Sequence, residues 1–346
     1  MYKNIGIVGA GGWGTALACL YAEGATKLRL WGHNPEIVEE IRTRHTNETY
    51  LKGIRIPEDV LVTNKLEDLQ DCSLILIVTP SRALREICSR LARLEMDSRA
   101  VWVSCTKGIE HNSGLLMTQI MEEVLGTRRV AVLSGPNLAI EVANKIPAAS
   151  VVGCAEDEIL DVLSTTLNRP GFRVYRSDDV IGIQLGGALK NIFAIGAGCS
   201  DGFKMGDNAK AGLVTRSLTE MTRLGVALGG RRETFSGLSG IGDLMVTCFS
   251  KHSRNRKVGE RLGGGESREE IESSMKMVAE GIPTVQSAYQ CARRLGVDAP
   301  ITEQIFKILY ENKAPKNAMK ELLLRTPKPE HDEGLSDSVG NEEALA

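Results

Sequence analysis

Residues 181–198, IGIQLGGALKNIFAIGAG, form an almost uninterrupted apolar run of helical length. A helix over these residues would be about 27 Å long at 1.5 Å per residue, and it would be buried nearly all round. Lys190 stands in the middle of the run, and a lysine is almost never fully buried without a partner, because burial disfavours the ammonium. We therefore predict a central helix that lines an active-site cleft. The alternative is a core helix whose lysine extends its charged end to the surface, and this stretch alone does not separate the two.

Four glycines, at positions 186, 187, 196 and 198, interrupt the same run. Each costs about 1 kcal/mol relative to alanine inside a helix. Such a cost is usually tolerated where another backbone or a ligand must come close. We therefore expect close neighbours at these positions.

The composition is that of an ordinary globular protein, long enough for two domains. The 346 residues are 42% hydrophobic and 25% charged, with a net charge of −2. This charge gives no global field for nucleic acid or an anionic membrane, and no segment is predicted to span a membrane, so neither partner is expected. Eight scattered cysteines without a C-x-x-C pair indicate free thiols in a reducing cytoplasm, and no metal site is predicted.

The N-terminus carries glycines at a dinucleotide-binding spacing. Residues 3–8, KNIGIV, are predicted to form a buried strand, and the following GAGGWG leads into a helix. In this context Gly9 permits the tight turn, Gly11 lets a pyrophosphate approach the backbone, and Gly14 lets the helix pack on the strand. We therefore predict a nucleotide cofactor at this turn. Trp13 either covers the cofactor or packs in the core.

The second predicted strand, LRLWGHN at residues 28–34, indicates which cofactor is used. An NAD-selective site usually has Asp or Glu here to bind the ribose 2′-hydroxyl, and this chain has none. A 2′-phosphate is therefore admissible, with His33 as a neighbour and Arg42 or Arg44 as more distant candidates. We expect NADP(H) to be preferred and NAD(H) to be possible.

Val- and Ile-rich runs alternate with helical patterns up to about residue 180. This alternation predicts a Rossmann-type, doubly wound, mostly parallel α/β sheet over residues 1–180. After that point strand signals stop, and residues 181–325 are predicted to form an all-helical substrate and catalytic domain. Residues 326–346 are acidic and nearly free of large apolar side chains, which is typical of disorder. Further strands are predicted at 73–80, 100–106, 130–136, 149–154 and 172–175, and helices at 81–95, 114–125 and 156–167.

Two polar regions are candidates for the chemistry. Ligands of an open parallel sheet bind at the carboxyl ends of its strands, which puts Lys107 and residues 134–137 at the rim of the cleft. In the helical half, Asp243 lies in an apolar stretch and can pair with Lys190, while the Ser-Arg-Asn of residues 253–255 can grip a phosphate or a carboxylate. The alternatives are a cap or turn role for Asp243 and a solvated basic face at the second site.

Seven motifs taken together resemble a known family. GAGGWGTALA, TKGIE, SGPNLAIEVA, QLGGALKNIFAIGAGCSDG, GLSGIGDLMVTC, SRNR and VAEG occur in this order over residues 5 to about 320. They resemble the soluble NAD(P)-dependent sn-glycerol-3-phosphate dehydrogenases, especially those of the bacterial type. That family pairs a Rossmann domain with a helical domain. It interconverts dihydroxyacetone phosphate and sn-glycerol 3-phosphate, which supplies the glycerol backbone of phospholipids.

The resemblance implies roles for individual residues. Lys190 would be the proton donor and acceptor, oriented by Asp243. The residues around the substrate would be Lys107, Gly135, Asn137, Lys190, Asp243, Ser253, Arg254 and Asn255. The cofactor would be lined by Gly9, Gly11, Gly12, Trp13, Gly14, His33, Lys107, Ala139, Arg254, Val278 and Glu280. Asn137 departs from the family, which commonly has Ser or Thr after Ser-Gly-Pro.

The chemistry of the residues agrees with this resemblance. A hydride that moves onto a ketone leaves an alkoxide, so a positioned acid is required, and a partly desolvated lysine can supply the proton. From the residues alone two other functions stay open. One is a reductase of the same architecture that acts on a carboxylate, such as a hydroxyacid or ketoacid reductase. The other is a sensor that binds NADPH and regulates a partner. We expect a homodimer, although no residue pattern indicates the oligomeric state.

Overall fold

The computed structural model describes residues 2–275, 278–327 and 329–330. In this part of the chain eight strands form one sheet. They are β1 Asn4–Val8, β2 Lys27–Trp31, β3 Val60–Thr63, β4 Leu74–Ile77, β5 Val101–Ser104, β6 Val130–Ser134, β7 Ala148–Cys154 and β8 Phe172–Ser177. The strand order is β3-β2-β1-β4-β5-β6-β7-β8, and every neighbouring pair is parallel except β6 and β7. The predicted mostly parallel sheet is confirmed.

Helices cover both faces of the sheet, because apolar side chains point alternately to either side of each buried strand. α1, α2 and α6 pack on one face and α3 and α4 on the other. The strand order reverses between β1 and β4, and ligands bind at such a switch point, beyond the carboxyl ends of the strands. The helices are α1 Gly12–Ala22, α2 Pro35–Arg44, α3 Ser81–Leu91, α4 Met117–Leu125, α5 Ala139–Ala143 and α6 Asp157–Leu167.

Three of these elements, α2, α5 and β3, were not predicted, and α5, at five residues, is too short to show a helical repeat. α2 carries a local signal, because the Asn34 side chain accepts a hydrogen bond from the Glu36 amide at 2.8 Å and Pro35 occupies the first helical position. β3 is a four-residue edge strand whose Leu61 is 54% exposed, so it lacks the apolar run that marks the central strands.

From Val180 onward the described elements are helical, as predicted. α7 Val180–Gly202 opens this half of the chain, and a π-helical turn at Leu238–Gly242 precedes α10. The remaining helices are α8 Asp207–Ala227, α9 Arg232–Phe235, α10 Asp243–Phe249, α11 Arg254–Gly263, α12 Arg268–Ser274, α13 Gly281–Leu295, α14 Pro300–Tyr310 and α15 Pro315–Leu323. Of the tail predicted to be disordered, residues 328 and 331–346 lie outside the described residues.

α7 is the axis around which the helical half packs. α8, α10, α11, α13 and α14 all contact it, and most of its 23 residues are buried. Contrary to the expectation that no segment could span a membrane, α7 is long and apolar enough to do so. However, 83% of the relevant window is buried inside the protein, which identifies α7 as a core helix.

Glycines bring the backbones of α7 and α11 into direct contact. A Cβ on Gly198 would overlap the carbonyl oxygen of Arg256, and a Cβ on Gly259 would overlap that of Ile195. The close approach expected at Gly198 is therefore present. Because both helices contribute glycines to the contact, the start of α11 is held at a fixed position relative to the middle of α7.

Candidate active site

Lys190 lies in the middle of α7, opposite Asp243 at the start of α10. Its Nζ donates to Asp243 Oδ1 and, at 2.8 Å, to Thr247 Oγ1. Lys190 is only 7% exposed. Burial lowers the pKa of its amine to about 7, the Asp243 carboxylate opposes this shift, and the Lys107 ammonium adds to it. The alternative of a lysine that reaches solvent is wrong, since the ammonium ends on a buried carboxylate.

Asp243 joins the two halves of the protein. Its Oδ2 accepts a hydrogen bond from Lys107 Nζ at 2.5 Å, and Lys107 also donates to the carbonyl oxygen of Gly135 at 3.1 Å. Lys107 and Gly135 follow the carboxyl ends of β5 and β6, at the rim where they were predicted. Asp243 also stands in the first turn of α10, where a carboxylate is favourable, but Gly242 holds the cap position and no side chain caps this helix.

Small residues let the elements of this site come so close. A Cβ on Gly187 would lie 2.6 Å from Ser134 Oγ, and a Cβ on Gly186 would lie 2.5 Å from the carbonyl oxygen of Ser239. α7 therefore packs directly against the end of β6 and against the turn before α10. Gly135 has a φ of 144°, which favours glycine and turns its carbonyl oxygen toward Lys107.

Thr247 is a site residue that the sequence analysis missed. Its hydroxyl accepts from Lys190 and donates to the backbone carbonyl of Asp243 at 2.6 Å. Thr247 lies four residues after Asp243 in α10, so both face α7. This spacing is the signal that could have revealed it.

The predicted anion site lies at the start of α11. Ser253 caps this helix, because its Oγ accepts from the Arg256 amide at 3.2 Å. Arg254 is exposed, and its Nη1 donates to the carbonyl oxygen of Val278 at 2.7 Å. A guanidinium has five N–H donors, so Arg254 retains donors for a ligand.

The Asn255 side chain already uses most of its hydrogen-bonding groups within the protein. It is 8% exposed, its Oδ1 accepts from the Gly281 amide at 2.9 Å, and its Nδ2 donates to Asn191 Oδ1 at 2.8 Å. These bonds tie α7, α11 and α13 together and leave one N–H of the amide for a ligand. Asn137, the residue that departs from the family pattern, accepts from Ser150 Oγ at 2.8 Å.

The glycine turn between β1 and α1 fits a dinucleotide. Gly9 has a φ of 126°, and a Cβ there would lie 2.7 Å from the carbonyl oxygen of Val78. A Cβ on Gly14 would overlap the carbonyl oxygen of Gly9, whereas one on Gly11 would meet nothing within 4 Å. The backbone at Gly11 is therefore open to a pyrophosphate, and the free amides at the start of α1 point to the same place.

Asn47 holds this turn, although no spacing in the sequence indicates it. The side chain is fully buried, and its Nδ2 donates to the carbonyl oxygen of Ala10 and to Thr15 Oγ1, both at 2.9 Å. Ala139 begins α5 beside the turn, with its Cβ 3.9 Å from where a Cβ on Gly12 would be. The structure thus brings Ala139 to the glycines, as the resemblance implies.

Trp13 and Glu280, which the resemblance assigns to the cofactor, both contact other side chains of this protein. The ring of Trp13 is half-buried and lies 6.4 Å from that of Phe172, which corresponds to the core alternative. Glu280 precedes α13 and accepts hydrogen bonds from Ser81, with Val278 two residues before it. Burial raises the pKa of the Glu280 carboxyl.

The region beyond the end of β2 holds the residues expected near a 2′-phosphate. His33 is exposed just beyond the strand, with its ring 6.3 Å from that of Trp31. Arg42 and Arg44 lie in the last turn of α2, about 10 to 14 Å along the helix axis from Pro35 at 1.5 Å per residue. Arg42 donates to the carbonyl oxygen of Val62 at 3.1 Å. Val62 pairs with Leu30 of β2, so the Arg42 guanidinium lies one strand away from the end of β2, and the two arginines stay the more distant candidates for a 2′-phosphate.

The mostly parallel sheet carries a dinucleotide-binding turn, and the helical domain carries a buried lysine–aspartate pair and an exposed arginine. Together these features define a two-domain nicotinamide-dependent dehydrogenase.

Comparisons with known proteins specify the family. Models described as the N-terminus and the C-terminus of NAD-dependent glycerol-3-phosphate dehydrogenase match residues 4–160 and 179–320. A glycerol-3-phosphate dehydrogenase (NAD(P)+) of Chlorobium phaeobacteroides (strain BS1) is 44% identical over 331 residues, which cover 94% of this chain and 99% of that protein. The chain belongs to the NAD-dependent glycerol-3-phosphate dehydrogenase family.

Solved structures agree with this family. The crystal structure of glycerol-3-phosphate dehydrogenase from Coxiella burnetii matches with a TM-score of 0.89 and 39% identity, over 94% of this chain and 100% of that one. A ketopantoate reductase from Ralstonia eutropha matches with a TM-score of 0.57 and 12% identity, over 91% of this chain and 99% of that one. The second likeness is one of fold alone.

Proposed function

We propose that the protein interconverts dihydroxyacetone phosphate and sn-glycerol 3-phosphate by hydride transfer with NAD(P)H, and that it supplies glycerol 3-phosphate for phospholipid synthesis. The observation that carries the proposal is the buried pair of Lys190 and Asp243. A buried amine whose pKa is lowered to about 7 can both give and take a proton near neutral pH. The pair lies between the dinucleotide-binding half and the exposed Arg254.

In the reductive direction Lys190 protonates the oxygen of the ketone, and in the oxidative direction it takes this proton back. A nicotinamide held at the glycine turn would supply or accept the hydride at the carbonyl carbon of the substrate. Asp243 orients Lys190 by accepting its hydrogen bond through Oδ1. Lys107 adds a second positive charge beside the position where the alkoxide develops, which favours that charge in the transition state.

The phosphate end of the substrate binds at the start of α11. Arg254 offers a planar fork that matches a phosphate, and the amides in the first turn of this ten-residue helix point to the same side. The remaining N–H of Asn255 adds a donor. Binding energy from this non-reacting end positions the carbonyl carbon against the nicotinamide and Lys190. Ser253 supports the site as the cap of α11.

NADPH is proposed to be used at least as well as NADH. No carboxylate follows β2 to repel a 2′-phosphate, and His33 stands exposed at that position. We assign His33 to the 2′-phosphate, with Arg42 and Arg44 as the more distant candidates.

Location, domain division and assembly are also proposals. All eight cysteines are free thiols and seven are buried, which supports a cytoplasmic site of action. The division at residue 180 is supported by the change from sheet to helix at that point. A homodimer is tested by multi-angle light scattering of the purified protein, where a mass near twice that of the chain is expected.

The defining experiment measures NADPH and NADH oxidation side by side with dihydroxyacetone phosphate. Dihydroxyacetone, which lacks the phosphate, and two ketoacids serve as controls. We expect rapid oxidation with the phosphate ester alone. Oxidation with a ketoacid but not with dihydroxyacetone phosphate would favour the carboxylate reductase, and tight NADPH binding without any turnover would favour the sensor.

A further inference from the structure

A second link between the two halves of the protein is made by Ser81 and Glu280. Ser81 is the first residue of α3, just beyond β4, and Glu280 precedes α13 in the helical half. Ser81 Oγ donates to Glu280 Oε2 at 2.5 Å, and the Ser81 amide donates to Oε1 at 3.2 Å. Both carboxylate oxygens are thus held at the N-terminus of an 11-residue helix, where a negative charge is favourable.

The segment that Glu280 belongs to, residues 278–281, also holds the anion site. The carbonyl oxygen of Val278 accepts from Arg254 at 2.7 Å, and the Gly281 amide donates to Asn255 at 2.9 Å. Glu280 therefore lies between the two backbone groups that fix Arg254 and Asn255. The segment has little freedom to move separately, since a Cβ on Gly281 would already lie 2.6 Å from the carbonyl oxygen of Asn191.

We propose that Ser81 is a positioning residue for the substrate phosphate. By holding Glu280 it fixes residues 278–281, and the carbonyl of Val278 then directs Arg254 toward the phosphate. A side chain of the cofactor-binding half thus completes the anion site of the helical half. This inference rests on the proposed function, because it takes the ligand of Arg254 to be a phosphate ester.

The test replaces Ser81 with alanine in the full-length protein. Ser81→Ala removes the hydroxyl but keeps the backbone amide, so Glu280 loses one of its two donors. We expect the KM for dihydroxyacetone phosphate to rise about 3- to 10-fold, in line with the loss of one typical intramolecular hydrogen bond. The kcat is expected to stay within about twofold, since Lys190 and Asp243 are untouched. Ser81→Thr retains the hydroxyl and is expected to restore the KM.

The matched control is Ser89→Ala on the same helix. Ser89 Oγ donates to the carbonyl oxygen of Arg85 at 2.9 Å within α3, so this variant removes a hydroxyl without touching the link. Its KM and kcat are expected to equal those of the wild type. The Kd for NADPH is measured for each variant by fluorescence, because the resemblance also assigns Glu280 to the cofactor site.

A double-mutant cycle distinguishes positioning from general weakening. If Ser81 acts through Arg254, Ser81→Ala is expected to add less than about twofold to the KM in an Arg254→Lys background. A full multiplicative increase there would overturn the inference. An unchanged KM for Ser81→Ala alone, or a loss of kcat in its place, would do the same. Thermal unfolding checks each variant, and Glu280→Gln takes the place of Ser81→Ala in the cycle if that variant does not fold.

Inorganic phosphate separates failure of this inference from failure of the proposed function. If the wild type does not turn over dihydroxyacetone phosphate, the proposed function is wrong. Calorimetry then measures the binding of inorganic phosphate to the NADPH-bound protein. We expect Ser81→Ala to weaken this binding several-fold relative to Ser89→Ala, and equal binding by the two variants would refute the positioning role.

Discussion

Replacing Lys190 with methionine tests the centre of the site. Methionine has a similar straight chain, packs in apolar surroundings and is a good helix former. The change removes the donor to Asp243 Oδ1 and to Thr247 Oγ1. Asp243 keeps its hydrogen bond from Lys107 at 2.5 Å, and Thr247 keeps its bond to the Asp243 backbone at 2.6 Å.

No buried charge is therefore left without a partner in Lys190→Met. Breaking a buried ion pair costs most when it leaves an uncompensated charge, and Lys107 prevents that here. We expect the free energy of unfolding to change by less than about 2 kcal/mol. The kcat is expected to fall about 10²- to 10⁴-fold, the usual contribution of a positioned proton-transfer group. NADPH binding is expected to persist, because the glycine turn lies in the other half of the protein.

The assay follows NADPH oxidation at saturating dihydroxyacetone phosphate, with urea unfolding measured on the same samples. Lys210→Met is the matched control. Lys210 is also 7% exposed, and its Nζ donates to Asp201 Oδ2 at 2.8 Å. In Lys210→Met, Asp201 would keep its ion pair with Arg256 Nε, also at 2.8 Å. This control removes a buried lysine that shares its carboxylate with a second cation and leaves Lys190, Asp243 and Thr247 untouched, so its kcat is expected to stay within a few-fold. Near-wild-type turnover in a folded Lys190→Met protein, or an equal loss in both variants, would refute the catalytic role.

Four further predictions address the remaining groups. With the pKa of Lys190 near 7, reduction, which needs the ammonium, should slow as the pH rises through about 7. Oxidation, which needs the neutral amine, should slow as the pH falls below it, and pH profiles that are flat in both directions would contradict this. Arg254→Lys keeps the charge but loses the fork, so the KM for dihydroxyacetone phosphate should rise, and an unchanged KM would return this residue to a solvated face. His33→Asp should shift kcat/KM from NADPH toward NADH, because the carboxylate repels the 2′-phosphate. A wild type strongly selective for NADH would refute this prediction. Gly259→Ala should lower the free energy of unfolding by about 1 to 3 kcal/mol, because the added methyl overlaps the backbone of α7. The control is Gly212→Ala in α8, where a Cβ meets nothing within 4 Å. Urea titrations should show no loss of stability in this control.

Much of the fold could be predicted because its signals are local. The central strands are Val- and Ile-rich runs, and α7 is an apolar run of helical length, so composition and length identify them. The glycine turn was recognisable because its strand–turn–helix context is contiguous in sequence. β3 escaped prediction because an exposed four-residue edge strand is held mainly by its pairing with β2, which no local pattern reveals.

The pairing of Lys190 with Asp243 could be predicted from the sequence, but the wider hydrogen-bond network around it could not. The pairing of Lys190 with Asp243 follows from the need of a buried ammonium for a partner. The bond from Lys107 to the same carboxylate depends on how the sheet docks against the helices, so no spacing indicates it. The same holds for Asn255, whose amide bonds are satisfied by Asn191 and Gly281 from two other helices. Long-range hydrogen bonds of this kind are a property of tertiary packing.

The glycine contacts between α7 and α11 have a consequence for substrate length. α7 carries Lys190 and α11 carries Arg254, and the two backbones touch at Gly198 and Gly259. The separation between the proposed proton-transfer group and the proposed anion anchor is therefore set by two helices that cannot slide past each other, and not by the conformation of a loop. Acceptance of a substrate with more carbons between its carbonyl and its phosphate would require repacking this helix pair, since changes confined to the surrounding loops leave that separation intact.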